Sequence, residues 1–181
     1  MRWQSLAMVM LSTALAACLP EQSNTTTTPQ PVAEQMAALG AALFNDKQLS
    51  SNGNQSCASC HDQNVAFSDP DQNFPVSEGS VAGQFGTRNT PSIAYNALTP
   101  ELKFDANEGL WGGGLFLDGR VSTLEEQAQK PLLNPVEMNN ASAADVVARL
   151  RASPASAALF AQVFGADALA PGKEEQAFAK I

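Results

Sequence analysis

Two thiols and an imidazole stand within five residues, Cys57-Ala-Ser-Cys60-His61, inside the stretch NGNQSCASCHDQNVAFSD. They are two of the chain's three cysteines and its only histidine. A disulfide between Cys57 and Cys60 suits an oxidising compartment but gives His61 no task. Structural zinc wants four ligands, and this cluster offers three. A nucleophilic cysteine–histidine pair needs two side chains free to meet, which adjacent loop positions rarely allow. A fourth chemistry employs all three residues, because C-x-x-C-H is the attachment pattern of c-type haem. Thiols three positions apart lie near two vinyl groups of one porphyrin, and the next residue supplies an imidazole as proximal iron ligand. The spacing therefore predicts one covalent haem held by Cys57, Cys60 and His61.

A lone histidine rules out bis-histidine ligation from within this chain. The sixth iron position is then either filled by methionine or open to a small molecule. Beyond the first residues only Met36 and Met138 are available. Met36 falls on an apolar helix face and reads as core, whereas Met138 stays a candidate.

Elements must position these groups. Val32, Met36, Leu39, Leu43 and Phe44 recur at helical spacing, so a helix is expected over 32–44. Residues 45–73 are dense in Asn, Asp, Ser and Gly, which puts the Cys57–His61 group in a loop or a very short helix. Irregular chain continues through GSVAGQFGTRNTPS, and LWGGGLFLDGR holds too many glycines for a helix. Ser122-Thr-Leu-Glu125 is a capping box opening a short helix that Pro131 should end. Ser142 caps a run with Val146, Val147 and Leu150; Ser153-Pro154 opens another that Gly165 stops. A last helix starts near Lys173. No long alternating apolar run announces a sheet. The expected fold class is mostly α, a cytochrome c-like helical haem domain with long loops, which are normally functional or pinned by something.

The first residues carry one arginine, an apolar run and then small residues, the layout of a secretory signal, and the run is too short to span a membrane. Leu15-Ala16-Ala17-Cys18 resembles a lipobox, so residues 1–17 read as a lipoprotein signal peptide with Cys18 as the acylated residue. Residues 18–31, rich in Thr, Pro, Gln and Asn, read as a flexible tether. The folded domain then covers 32–181. Acyl chains at about 0.8 kcal/mol per buried methylene would hold it to a membrane facing the periplasm, with Leu19 leaning the choice to the outer one. A net charge of −8 lacks the basic stripe that nucleic acid needs.

Beyond the haem motif, LGAALFNDKQLSSNGNQSCASCHD, GTRNTPSIAYN and FLDGRVSTLEEQAQKPLLNPVEM occur in order at compatible spacing. Over about Leu39 to Ile181 the chain resembles the N-terminal haem domain of the bacterial di-haem cytochrome c peroxidases and their MauG-type relatives. The resemblance implies haem c here and a second haem in a further domain, which this sequence, with no second C-x-x-C-H, does not contain. It implies hydrogen peroxide as substrate, a small cytochrome c or copper protein as electron donor, and a homodimer as a candidate assembly. A MauG-type oxidant of a protein or organic molecule, or a non-enzymatic electron-transfer module with Met138 on iron, are the alternatives.

By the same resemblance Glu137 of NPVEM matches the distal carboxylate and Gln127 of EEQAQ the distal glutamine. Asn89 of RNTPS matches a ligand of a calcium ion between domains. Cleaving peroxide requires a proton moved from one oxygen to the other, and a carboxylate can carry it for a gain of about 10²–10⁴. Without the motif, Glu137 and Gln127 would read as surface residues and Asn89 as a turn residue before Thr90-Pro91. Arg88 and Arg120 could meet haem propionates or simply be solvated. Two positions depart from the family pattern: Val81 stands where many members place a blocking histidine, so the resting iron is expected without one, and Leu117 replaces a tryptophan before DGR. Trp111, six positions earlier, is a candidate substitute for that tryptophan but reads rather as a core or lid aromatic.

Overall fold

The computed structural model describes residues 32–71 and 73–181; the stretches read as signal peptide and tether, with Cys18, lie outside the described residues. Helix α1 (Val32–Asn45) opens the described chain, followed by a 3₁₀ turn over Lys47–Leu49 and a single helical turn, α2 (Cys57–Cys60). A long irregular stretch leads to strands β1 (Lys103–Asp105) and β2 (Leu110–Gly112). Helices α3 (Leu124–Leu133), α4 (Ala143–Ala152), α5 (Pro154–Phe164) and α6 (Glu174–Phe178) complete it. Among the described residues no helix is long and apolar enough to cross a membrane.

The helices gather at one side. Leu39 and Leu43 of α1 meet Val146, Val147 and Leu150 of α4, Phe160 of α5 and Phe178 of α6 in one buried cluster. Burying these side chains is what orders the helices, since helices this short are marginal alone in water. Leu49, Leu132 and Met138 belong to the same cluster, so the core reaches the segments that flank the cysteines and Glu137. Met36 differs from expectation: it is 50% exposed, because Leu39 and Leu43 alone define the inward stripe of α1.

Caps behave largely as their residue types dictate. Ser142 accepts a hydrogen bond from the Asp145 amide at 3.2 Å, and Gly165, at φ 97°, ends α5 in a conformation that favours glycine. The α3 cap is Thr123, not Ser122, accepting from the Glu126 amide. Pro131 does not end α3; it lies inside it, and Asn134 closes the helix by donating to the carbonyls of Lys130 and Pro131. The proline lacks only its own N–H, and packing of Leu132 into the core carries the helix past the gap. The strands depart from the expectation of no sheet: β1 and β2 pair antiparallel, Phe104 opposite Trp111, as a two-stranded ribbon whose residues are all exposed. Trp111 is 68% exposed, stacked obliquely on Phe104, neither core nor buried lid. α6 closes at Phe178.

Asp46 ties the first helix to the fifth. Its carboxylate accepts the Ser153 hydroxyl at 2.6 Å, the Ser156 hydroxyl at 2.5 Å and the Gln48 amide at 2.9 Å. Burial raises its pKa, but these three bonds outweigh burial and hold it below the ordinary value. A depressed carboxylate contributes stability that is present above the unfolded pKa of about 3.9 and lost as pH falls through the folded one. Asp46→Asn should therefore be less stable at neutral pH and lose part of the acid dependence of urea unfolding.

Candidate functional site

Irregular segments together with α2 and α3 line a cavity of about 540 Å³, with Met138 joining it to the core. That lies within the roughly 300–1,000 Å³ of small-molecule and cofactor sites. Cys57, Cys60 and His61 line it, as do Asn89, Gln127 and Glu137. Residues as distant in sequence as Cys57 and Met138 thus face one space.

The imidazole is oriented by backbone. His61 Nδ1 lies 3.0 Å from the Phe67 carbonyl, so Nδ1 carries the proton as donor and Nε2 is left with its lone pair. The carbonyl reaches back because Ala66 and Phe67 both take left-handed conformations, at φ 58° and 57°, after the 3₁₀ turn over Gln63–Val65. Two such residues without glycine are uncommon and cost energy that the surroundings must offset. The Phe67 amide bonded to the Asp62 carbonyl at 2.8 Å and the Phe67 ring edge-on to Phe44 supply part of that. Burial lowers the His61 pKa, opposed by its backbone bonds, and so favours the neutral, ligand-competent ring.

No disulfide joins Cys57 and Cys60. Burial pushes Cys57 up to about 11, and burial also raises Cys60, with the negative charges of Asp69 and Glu137 adding to it. The Gln55 amide donates to the Cys60 sulfur at 3.5 Å and to the Glu78 carbonyl at 2.8 Å.

On the other wall, Gln127 and Pro131 sit four apart on one face of α3, and Asn134 extends that stripe by three. Asn134 Nδ2 donates to Glu137 Oε1 at 2.8 Å while its Oδ1 accepts the Val136 amide at 3.2 Å. The second bond fixes which way the amide points, so the donor must face the carboxylate. Burial raises the Glu137 pKa; the Asn134 bond and the charge of Arg120 oppose it. Sequence reasoning missed Asn134, although a cap residue three positions before an acid was a readable signal.

At the mouth, Arg88 and Arg120 both bind Asp118, at 2.9 Å and 2.7 Å, and Arg120 lies 3.8 Å over the Phe116 ring. The Arg120 hydrogen bond, with Arg88 adding to it, holds Asp118 below the usual carboxylate range. Asn89 donates to the Pro75 carbonyl at 3.1 Å and also borders a smaller polar hollow with Asp69, Asp71 and Asn73. Among the described residues no group of three or more His, Cys, Asp and Glu side chains is arranged to hold a metal ion. Leu117 is exposed, and Met138 both packs in the core and touches the cavity.

A family model described as di-haem cytochrome c peroxidase matches residues 34–181. The chain belongs to that family. Among its relatives, methylamine utilization protein MauG of Paracoccus denitrificans is 46% identical over 154 residues, covering 83% of this chain and 39% of the relative. Cytochrome c peroxidase Ccp of Escherichia coli is 33% identical over 149 residues, 80% of this chain and 28% of that one. The crystal structure of the diheme peroxidase BthA from Burkholderia thailandensis superposes with a TM-score of 0.72 at 36% identity, over 84% of this chain and 37% of that one. The chain thus spans less than half the length of these relatives. Members of a di-haem cytochrome c peroxidase family carry haem c, and the cavity fits one: two cysteines not paired with each other, an imidazole with Nε2 available, walls that mix apolar side chains such as Ile93, Leu115 and Met138 with polar ones, and two guanidiniums at the mouth. Cys57→Ala/Cys60→Ala should lose the covalent haem mass seen in the parent protein by intact mass spectrometry.

Proposed function

We propose that this chain is the peroxide-handling haem domain of a two-haem peroxidase, exported to the periplasm and lipid-anchored through Cys18, that reduces hydrogen peroxide to water. The observation that carries the reading is the convergence of Cys57, Cys60, His61, Gln127 and Glu137 on one cavity. Bound haem supplies the redox-active iron and electrons for breaking the oxygen–oxygen bond. Cys57 and Cys60 would hold the ring covalently and His61 Nε2 would ligate its iron. Glu137 holds Oε1 against Asn134, which leaves Oε2 to take a proton from one peroxide oxygen and return it to the other as that oxygen departs as water. Gln127, neutral, can orient peroxide by hydrogen bonds without changing the charge of the site. Electrons arrive from a small cytochrome c or copper protein by way of a second haem in a further domain, and Asn89 contributes to a calcium ion between the domains.

Accepting that first proton needs the ionised carboxylate, and burial raises its pKa. The acid limb of the peroxide reaction should therefore lie above the ordinary glutamate value of about 4.3, rate rising with pH through it. Glu137→Gln should slow the reaction by about 10²–10⁴ and remove that limb, as measured by stopped-flow absorbance against pH.

The 46% identity to methylamine utilization protein MauG supports a second reading, in which the same site oxidises a protein or organic molecule. Steady-state oxidation of reduced cytochrome c by peroxide, assayed on the full-length haem-loaded protein, separates the two. Rapid oxidation is expected for the peroxidase, and negligible oxidation would move the assignment to the second.

A further inference from the structure

The distal carboxylate is held from two sides. Asn134 grips its Oε1, and on the main-chain side Gly79 and Ser80 lie against the Val136–Glu137 peptide. The Ser80 amide donates to the Glu137 carbonyl at 2.6 Å. A Cβ on Gly79 would stand 2.4 Å from the Val136 carbonyl oxygen, 2.7 Å from its carbon and 3.0 Å from the Glu137 oxygen. These are backbone atoms and cannot swing aside. Any side chain at 79 must push the peptide that carries Glu137.

Ser80 is 1% exposed and fully engaged. Its hydroxyl donates to Asn54 Oδ1 at 2.8 Å and receives the Asn52 amide at 3.2 Å. Its carbonyl accepts Asn52 Nδ2 at 2.8 Å and Asn54 Nδ2 at 3.0 Å. Asn52 and Asn54 belong to the loop that runs into Cys57. One step on, Gln55 bonds both the Glu78 carbonyl and the Cys60 sulfur. Residues 78–80 are therefore a splice between the haem-attachment loop and the distal turn. We infer that Gly79 and Ser80 are positioning residues for Glu137, registering the distal carboxylate against the cysteine loop rather than against α3 alone. This rests on the reading of Glu137 as the proton carrier above.

Cyanide provides a readout apart from turnover. It reaches ferric haem as HCN and gives its proton to a distal base, so its association rate reports where that base stands. In the full-length haem-loaded protein, cyanide association and peroxide reaction are compared for the parent, Glu137→Gln, Gly79→Ala and the double variant. Val147→Ala, which trims the helical core away from the cavity, serves as a stability control.

Glu137→Gln should slow both processes, and Gly79→Ala should slow both at least about tenfold. The Gly79 change should add nothing when Glu137→Gln is already present, because residues acting through one group are not additive. Val147→Ala should lower the melting temperature with both rates kept. Parent-like rates in Gly79→Ala, or the same loss with and without Glu137, would overturn the positioning role and leave that of Glu137 standing. Parent-like rates in Glu137→Gln would overturn both. Should Gly79→Ala fail to fold, Ser80→Ala carries the same cycle: it strips the hydroxyl bonds without a clash. Slowing that vanishes once Glu137→Gln is combined with it supports the inference, and additive or absent slowing overturns it.

Discussion

A chain with one histidine must present that ring in a single tautomer and a single orientation, and the His61–Phe67 hydrogen bond does both. The bond depends on a loop folded sharply enough for residue 67 to face residue 61. The left-handed pair Ala66–Phe67 makes that fold, and the Phe67 ring against Phe44 joins it to α1. The helical core in turn anchors α1. Local strain at the proximal loop is thus offset by apolar burial in the helical core that α1 joins, a division of labour common where a site needs an unfavourable backbone.

The same division explains why so much irregular chain is ordered. Residues 50–55 and 78–80 have little apolar surface of their own, and their main-chain groups are satisfied by Ser50, Asn52, Asn54 and Ser80. Asn140, buried, donates to the carbonyls of Leu49 and Leu132 and so fastens α3 to the segment before the cysteines. Polar side chains here do what a ladder does in a sheet: buried backbone groups find partners.

Periodicity and caps make the helices legible: α1, α4 and α5 follow from their apolar spacing, Ser142, Pro154 and Gly165. The C-x-x-C-H run and the NPVEM and EEQAQ motifs point to side chains that do share a cavity. Pro131 misleads because its local cost says nothing of the tertiary packing of Leu132 that offsets it. The β1–β2 ribbon escapes because three-residue strands are too short to show alternation. The carbonyl of Phe67 and the steric role of Gly79 have no signal at all: the first is a backbone atom, and the second is an absence of atoms.

Pro131 has one more consequence. With no amide at 131, the carbonyl of Gln127 loses the donor that an unbroken helix would give it. In hydrogen-exchange terms α3 is two short ladders meeting at a missing rung, whereas α4 holds no proline. The missing rung lies on the wall from which Gln127 and Pro131 face the cavity, while Leu132 beside it packs into the helical core.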